Sequence, residues 1–166
     1  MGSLCTILAL AGAVVHFFLS KQPRTPRRAV ELLLVYSLVF LAGAGGLIAF
    51  MGHTFKADDI ARGIGWPTGS PFQSEVAFAN LSYAVVAFLS IWLRGLFPAA
   101  AGLSYCVFLF GAAHVHIREM HLHANYCPFN SGVFLYVQDI LVPAIIIVLI
   151  VGYLFALKKE RQAAKP

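Results

Sequence analysis

The stretch Val30–Met51, VELLLVYSLVFLAGAGGLIAFM, decides the fold class. Apart from Glu31 near its start, it contains only apolar, small and hydroxyl-bearing residues. A helix that crosses a membrane needs about 20 mainly apolar residues, because the hydrocarbon core is about 30 Å thick and a helix rises about 1.5 Å per residue. The stretch therefore predicts a transmembrane helix.

Apolar stretches of the same kind occupy most of the remaining chain. Only 11% of the residues are charged and 60% are hydrophobic, whereas about 25% are charged in a soluble domain. We therefore predict one all-α transmembrane domain over residues 1–166, a bundle of about five helices with a cytoplasmic tail at 158–166. The other predicted spans are Leu4–Leu19, Pro71–Leu93, Ala99–Arg118 and Val133–Leu157.

The basic residues predict the orientation. The net charge of +5 comes from short runs that flank the apolar stretches, a pattern of membrane topology rather than of nucleic-acid binding. With the N-terminus outside and the C-terminus in the cytoplasm, nine basic residues lie inside and three outside, as the positive-inside rule requires. The inner ones are Lys21, Arg24, Arg27, Arg28, Arg94, Lys158, Lys159, Arg161 and Lys165; the outer ones are Lys56, Arg62 and Arg118.

The first outer loop, from His53 to Ser70, has an amphipathic segment. Its apolar residues recur at the i, i+3, i+4, i+7 spacing of one helix face, and charged residues occupy the positions between them. We predict a short helix that lies in the membrane interface. Its apolar positions are Ala57, Ile60, Ala61 and Ile64.

Most of the acidic residues and histidines fall in the outer half of the predicted bundle. Glu75, His114 and Asp139 lie one to two turns inside their helices, where an ionisable side chain is costly unless it faces the bundle and finds a partner. We expect these three to converge, with His53 above them. Two histidines with carboxylates suit copper, zinc or iron. The sequence thus predicts a transition-metal site for metal handling or membrane redox chemistry, without indicating whether the protein is an enzyme.

A second group of polar residues follows in the fourth span and the loop after it. If the helix continues, His116, Glu119 and His123 share one face, and His121 joins His114 on the neighbouring face. These residues are secondary metal candidates, because their spacing matches no established ligand motif.

Two other interpretations of the polar cluster stay open. It can be a hydrogen-bonded network that ties helices together, in an accessory subunit of a larger membrane complex. It can also be a proton relay or a pocket for a small ligand. The expected surroundings are the lipid bilayer and either a larger membrane complex or further copies of the chain. A disulfide between Cys5 and Cys127 is also left open.

A set of short motifs runs through the middle and later parts of the chain. They are Gly52-His53, Ile64-Gly65-Trp66-Pro67, Gly69-Ser70-Pro71-Phe72-Gln73-x-Glu75-Val76, Ala79-Asn80-Leu81, Gly111-x-x-His114 and Asn125-Tyr126-x-Pro128-x-Asn130-x-Gly132. These motifs resemble those of an uncharacterised family of small multi-pass membrane proteins from bacteria and archaea. The resemblance covers about residues 41–153 and implies a membrane protein of the prokaryotic cytoplasmic membrane, with no established activity. Among the matching residues are His53, Glu75, Asn80, His114 and Asp139, whereas His116, Glu119, His121 and His123 fall outside the pattern.

Overall fold

The computed structural model describes residues 2–163 and is all-helical, with no strand in that range. This range contains eight α-helices and two π-helices, in which the backbone hydrogen bonds reach one residue further than in an α-helix. The α-helices are α1 (Gly2–Leu19), α2 (Pro26–Ser37), α3 (Gly45–Phe55), α4 (Ala57–Ile64), α5 (Phe72–Leu89), α6 (Phe97–His123), α7 (Pro128–Ser131) and α8 (Val142–Ala163). The first π-helix is Leu38–Ala44 and the second is Leu135–Leu141.

Within the described part of the chain, four continuous helical segments are long and apolar enough to cross a membrane. They are Pro26–Phe55, Phe72–Leu89, Phe97–His123 and Leu135–Ala163, and α1 contains the shorter apolar stretch Leu4–Leu19. These segments correspond to the predicted ones, with shifted ends. The helix predicted to end at Arg118 continues to His123, and residues 158–163 of the predicted tail are helical; residues 164–166 lie outside the described range.

The first π-helix interrupts the segment Pro26–Phe55, and the second π-helix begins the segment Leu135–Ala163. Pro26–Phe55 consists of α2, the first π-helix and α3, and Leu135–Ala163 consists of the second π-helix and α8. Hydropathy does not reveal such insertions, because a π-turn changes the rotational phase of a helix and leaves its composition unaltered. The change of phase decides which side chains of the second π-helix face the bundle.

The apolar core lies between α2, the first π-helix, α6 and α8. Leu34, Leu38, Ile146 and Tyr153 are completely buried there. Small residues allow close approach of neighbouring helices, as expected for packing inside a membrane. At Gly46 in α3, a Cβ atom would lie 2.9 Å from the backbone oxygen of Asn80 in α5.

One end of the bundle, here called the Arg27 end, is held by ion pairs. The Arg27 guanidinium lies 3.0 Å from the Glu160 carboxylate and 3.6 Å from Glu31, which is also 3.9 Å from Arg94. Tyr153 donates a hydrogen bond of 2.9 Å from its hydroxyl to the Gly95 carbonyl. These contacts join α2, the α5–α6 loop and the last turns of α8.

The opposite end, here called the His116 end, contains α4 and α7. The predicted amphipathic helix is present as α4, and its residues Ala61 and Ile64 are buried as their spacing indicates. Gly65 ends α4 in the left-handed conformation, with φ of 84°. The Gly65 amide donates to the Arg62 carbonyl and the Trp66 amide to the Ala61 carbonyl, the pattern of a Schellman cap. This cap positions Trp66 over the end of the bundle.

Candidate functional site at the His116 end

His116 is the buried histidine of the polar segment in α6. Its exposed fraction is 7%, because it continues the inward face that Cys106, Leu109 and Ala113 form along the helix. His114 lies two residues earlier, on the opposite side of α6, and is exposed. The helical repeat of α6 therefore turns His116, one of the secondary candidates, towards other elements and turns His114 away from them.

Asn130 of α7 fixes the orientation of the His116 ring. Its side-chain amide donates to two backbone carbonyls, those of Asn125 at 2.7 Å and His116 at 3.2 Å. The Asn130 Oδ1 atom consequently points at His116 Nδ1, at a distance of 2.8 Å. A carbonyl oxygen only accepts hydrogen bonds, so Nδ1 carries the hydrogen and the Nε2 atom of a neutral ring presents its lone pair.

Asp139 lies opposite that lone pair. It belongs to the second π-helix and its exposed fraction is 3%. Its Oδ2 atom lies 4.0 Å from His116 Nε2 and has no hydrogen-bond partner in the described structure. An unpartnered carboxylate oxygen at such depth costs free energy, which is why buried polar atoms are normally hydrogen-bonded. The pair thus presents two acceptor atoms facing each other, and one cation or proton between them would satisfy both.

Trp66 and Asn125 close the site from the α4 side. The Trp66 ring stacks on the His116 ring, with centroids 5.8 Å apart and an interplanar angle of 18°. Asn125 donates to the Ile64 carbonyl at 2.9 Å and accepts from the Cys127 amide at 3.2 Å. A side chain at Gly65 would meet Asn125 and Cys127 at 2.7 Å, so this turn requires glycine for its space as well as for its φ angle.

The predicted set of His53, Glu75, His114 and Asp139 is not brought together. Glu75 and His114 are exposed on α5 and α6. His53 is half-buried in the last turn of α3, where its Nδ1 atom lies 2.7 Å from Gln73 Oε1. Within residues 2–163, no three side chains of His, Cys, Asp or Glu are close enough to hold one metal ion. Only Asp139 of the predicted set faces another candidate, His116.

The remaining secondary candidates lie on the outside of α6. His123 Nε2 is 3.7 Å from Glu119 Oε1, in agreement with their predicted shared face, and His121 is exposed. Cys5, Cys106 and Cys127 are free thiols, so the Cys5–Cys127 disulfide that the sequence left open is not formed.

The residues of the His116 end include an oriented histidine, as a metal site requires, but they supply only two of the ligands that such a site needs. A ligating histidine usually donates its second ring N–H to an oxygen, as His116 does to Asn130. An ion with bonds of about 2.0–2.1 Å holds tetrahedral ligands about 3.4 Å apart. The 4.0 Å separation of Nε2 and Oδ2 would close by about 0.6 Å to accept such an ion. The chain itself supplies two ligands there, so others would come from water or a bound partner.

Fold and site together define an all-helical protein with four helices long and apolar enough to cross a membrane, and with a buried histidine–aspartate pair at one end of its described residues. The chain belongs to a family of unknown function (DUF6790), whose sequence profile matches residues 1–158. The predicted membership of an uncharacterised family is thereby confirmed. No curated protein and no solved structure matches the chain.

Proposed function

We propose that this protein crosses the prokaryotic cytoplasmic membrane five times, with its N-terminus outside and its C-terminus in the cytoplasm. Helix α1 has 18 residues and spans about 27 Å, close to the thickness of the hydrocarbon core. It packs along α2, where Gly12 meets the ring of Tyr36 and His16 Nδ1 lies 3.2 Å from the Tyr36 hydroxyl. Helix α4 would then lie in the outer interface, with its charged face towards water.

The orientation can be measured with reporter fusions. A reporter that is active only in the cytoplasm should be active when fused after Pro166 and inactive when inserted at Gly69, in the α4–α5 loop. We expect this pattern because nine basic residues lie on the proposed cytoplasmic side and three on the outer side. Activity of both fusions, or of neither, would contradict an odd number of spans between the two points, and the reverse pattern would invert the proposed topology.

We further propose that the His116–Asp139 pair binds a transition-metal ion, copper, zinc or iron, at the extracytoplasmic ends of the helices, for metal handling or membrane redox chemistry. The observation that carries this proposal is the unpartnered Asp139 Oδ2 atom, which faces the Nε2 lone pair of His116 at 4.0 Å. Imidazole nitrogen with carboxylate oxygen is a common donor set for these ions. Two protein ligands leave positions for water or a transferred ligand, as handling of an ion requires.

Metal content tests the proposal with variants matched in chemistry. Untagged protein in detergent should contain a near-stoichiometric metal by elemental mass spectrometry. His116→Gln and Asp139→Asn should each reduce its occupancy at least tenfold, because loss of a ligand weakens binding at least as much as loss of a residue that only orients a ligand, which costs about 10–100-fold in affinity. Glu75→Gln and His114→Gln make the same changes at exposed positions and should retain the metal. Metal loss in the second pair and retention in the first would contradict the proposed ligands.

A second candidate function is that of an accessory subunit, in which the cluster only ties helices together. It is favoured by Asn130, whose three hydrogen bonds link α7 to α6 and to the loop after α6. Folded wild-type protein without metal, and a stoichiometric membrane-protein partner after mild solubilisation, would support this function over metal binding. A metal-loaded protein that purifies as a single chain or a homo-oligomer would contradict it.

A further inference from the structure

A groove at the Arg27 end lies beside the last turns of α8, away from the histidine–aspartate pair. It encloses about 270 Å³ and is lined by Leu96, Leu154, Leu157, Lys158, Arg161 and Gln162. Sites that enclose a whole small molecule measure about 300–1,000 Å³. The groove is therefore suited to receive one part of a larger molecule whose remainder stays outside.

The α8 wall of the groove changes from apolar to basic along the helix axis. Residues 154, 157, 158 and 161 follow the i, i+3, i+4, i+7 spacing of one helix face. Leu154 and Leu157 occupy its first turn, and Lys158 and Arg161 occupy the next turn towards the helix end. A molecule that fits this wall is apolar along one part and negatively charged at the adjoining end.

The positive charge of this wall is not neutralised within the described residues. The nearest acidic residue in sequence, Glu160, faces the other way and forms its ion pair with Arg27. Ion pairs of Lys158 and Arg161 are absent from residues 2–163, and both side chains are exposed. Gln162 adds an amide that can donate to an oxygen of the same ligand.

The opposite wall is held in place by a buried contact. Tyr153, which is completely buried, donates its hydroxyl hydrogen to the carbonyl of Gly95, at 2.9 Å. Gly95 has a φ angle of 72°, which turns the chain so that Leu96 faces α8 across the groove. The site therefore exists before any ligand binds.

We propose that this groove binds an anionic phospholipid, with its phosphate between Lys158 and Arg161 and the start of an acyl chain against the leucines. Basic pockets on the cytoplasmic side of membrane helices bind anionic lipid head groups, and the proposed orientation, on which this inference rests, places the groove on that side. Charge complementarity and the apolar-to-basic order of the wall together select a lipid over a soluble anion. The site is independent of the proposed metal function.

Native mass spectrometry of delipidated protein with added dioleoylphosphatidylglycerol tests the proposal. The wild type should retain one such lipid, and the double variant Lys158→Gln/Arg161→Gln should bind it about thirtyfold more weakly, since two cations are removed. The control double variant Lys21→Gln/Lys159→Gln removes the same charge outside the groove and should bind within about threefold of the wild type. Dioleoylphosphatidylcholine should bind weakly to all three proteins.

Three results would overturn the lipid site. Equal weakening in both double variants would mean that general surface charge attracts the lipid. Equal retention of both lipids would remove the role of charge. Displacement of the lipid by an equimolar amount of inorganic phosphate would identify a soluble anion as the ligand, since phosphate lacks the acyl chain that the leucines would hold.

Discussion

Replacing Asn130 by alanine is expected to lower the free energy of unfolding by about 3 kcal/mol, because a buried amide with three hydrogen bonds is lost. Asn130 is completely buried, so water does not replace it at the His116 ring or at the Asn125 carbonyl. Unfolding in mixed detergent micelles with increasing dodecyl sulfate measures this change. Loss of the ring orientation should also reduce metal binding.

Asn80→Ala is the matched control for this variant. Asn80 is also buried, but its amide donates to the Val76 carbonyl of its own helix, which the backbone already pairs. We expect a loss of at most about 1 kcal/mol, the typical net contribution of one such bond. Similar losses for Asn80→Ala and Asn130→Ala would show that Asn130 acts as an ordinary buried amide and not as the tie between α6 and α7.

The helices themselves could be predicted from composition, because long apolar stretches have few alternatives to crossing a membrane. The amphipathic α4 could be predicted for a related reason, since the period of Ala57, Ile60, Ala61 and Ile64 is specific to a helix. The residues at which the helices end could be predicted less well. Nothing in hydropathy distinguishes a helix that ends at Arg118 from one that ends at His123, because polar residues are tolerated in the last turns outside the hydrocarbon core.

Depth along the helices predicts the set Glu75, His114 and Asp139, whereas the rotation of each helix about its axis decides which side chains face the bundle. Glu75 and His114 have suitable depth, but their helices turn them outward. The signal that favours His116 was present in the sequence. Gly102, Cys106, Leu109, Ala113 and His116 follow the spacing of one helix face, and Gly102 and Cys106 are small enough to pack closely against α8. The continuation of this inward face along α6 includes His116 and excludes His114, which lies on the opposite side of the helix.

The contact between His116 and Asp139 was not predictable from periodicity. Asp139 lies in a π-helix, whose longer hydrogen-bonded turn alters the phase of every residue after it. The role of Asn130 depends on the loop between α6 and α7, whose conformation includes Ala124 with φ of 50°. These features arise from tertiary packing, and π-turns of this kind are frequent at functional sites.

Asp139→Asn is expected to raise the free energy of unfolding of metal-free protein by about 1–3 kcal/mol, while it abolishes the proposed metal site. The Asp139 Oδ2 atom is buried without a hydrogen-bond partner, and the Asn130 contact leaves a lone pair on the facing His116 Nε2 atom. An asparagine amide offers that lone pair an N–H donor, and the variant no longer buries an unpartnered carboxylate oxygen. Unfolding by dodecyl sulfate after chelator treatment measures the change.

Glu31→Gln makes the same chemical change at the Arg27 end, where the carboxylate has partners. Glu31 lies 3.6 Å from Arg27 and 3.9 Å from Arg94, so its neutralisation should lower the free energy of unfolding by about 1 kcal/mol. If the free energy of unfolding rises in Asp139→Asn and falls in Glu31→Gln, the fold does not need the negative charge of Asp139. A residue retained at a cost to stability is the pattern of a functional site. If Asp139→Asn instead destabilised the metal-free protein as Glu31→Gln does, the carboxylate would be a structural partner, and the accessory-subunit function would replace metal binding.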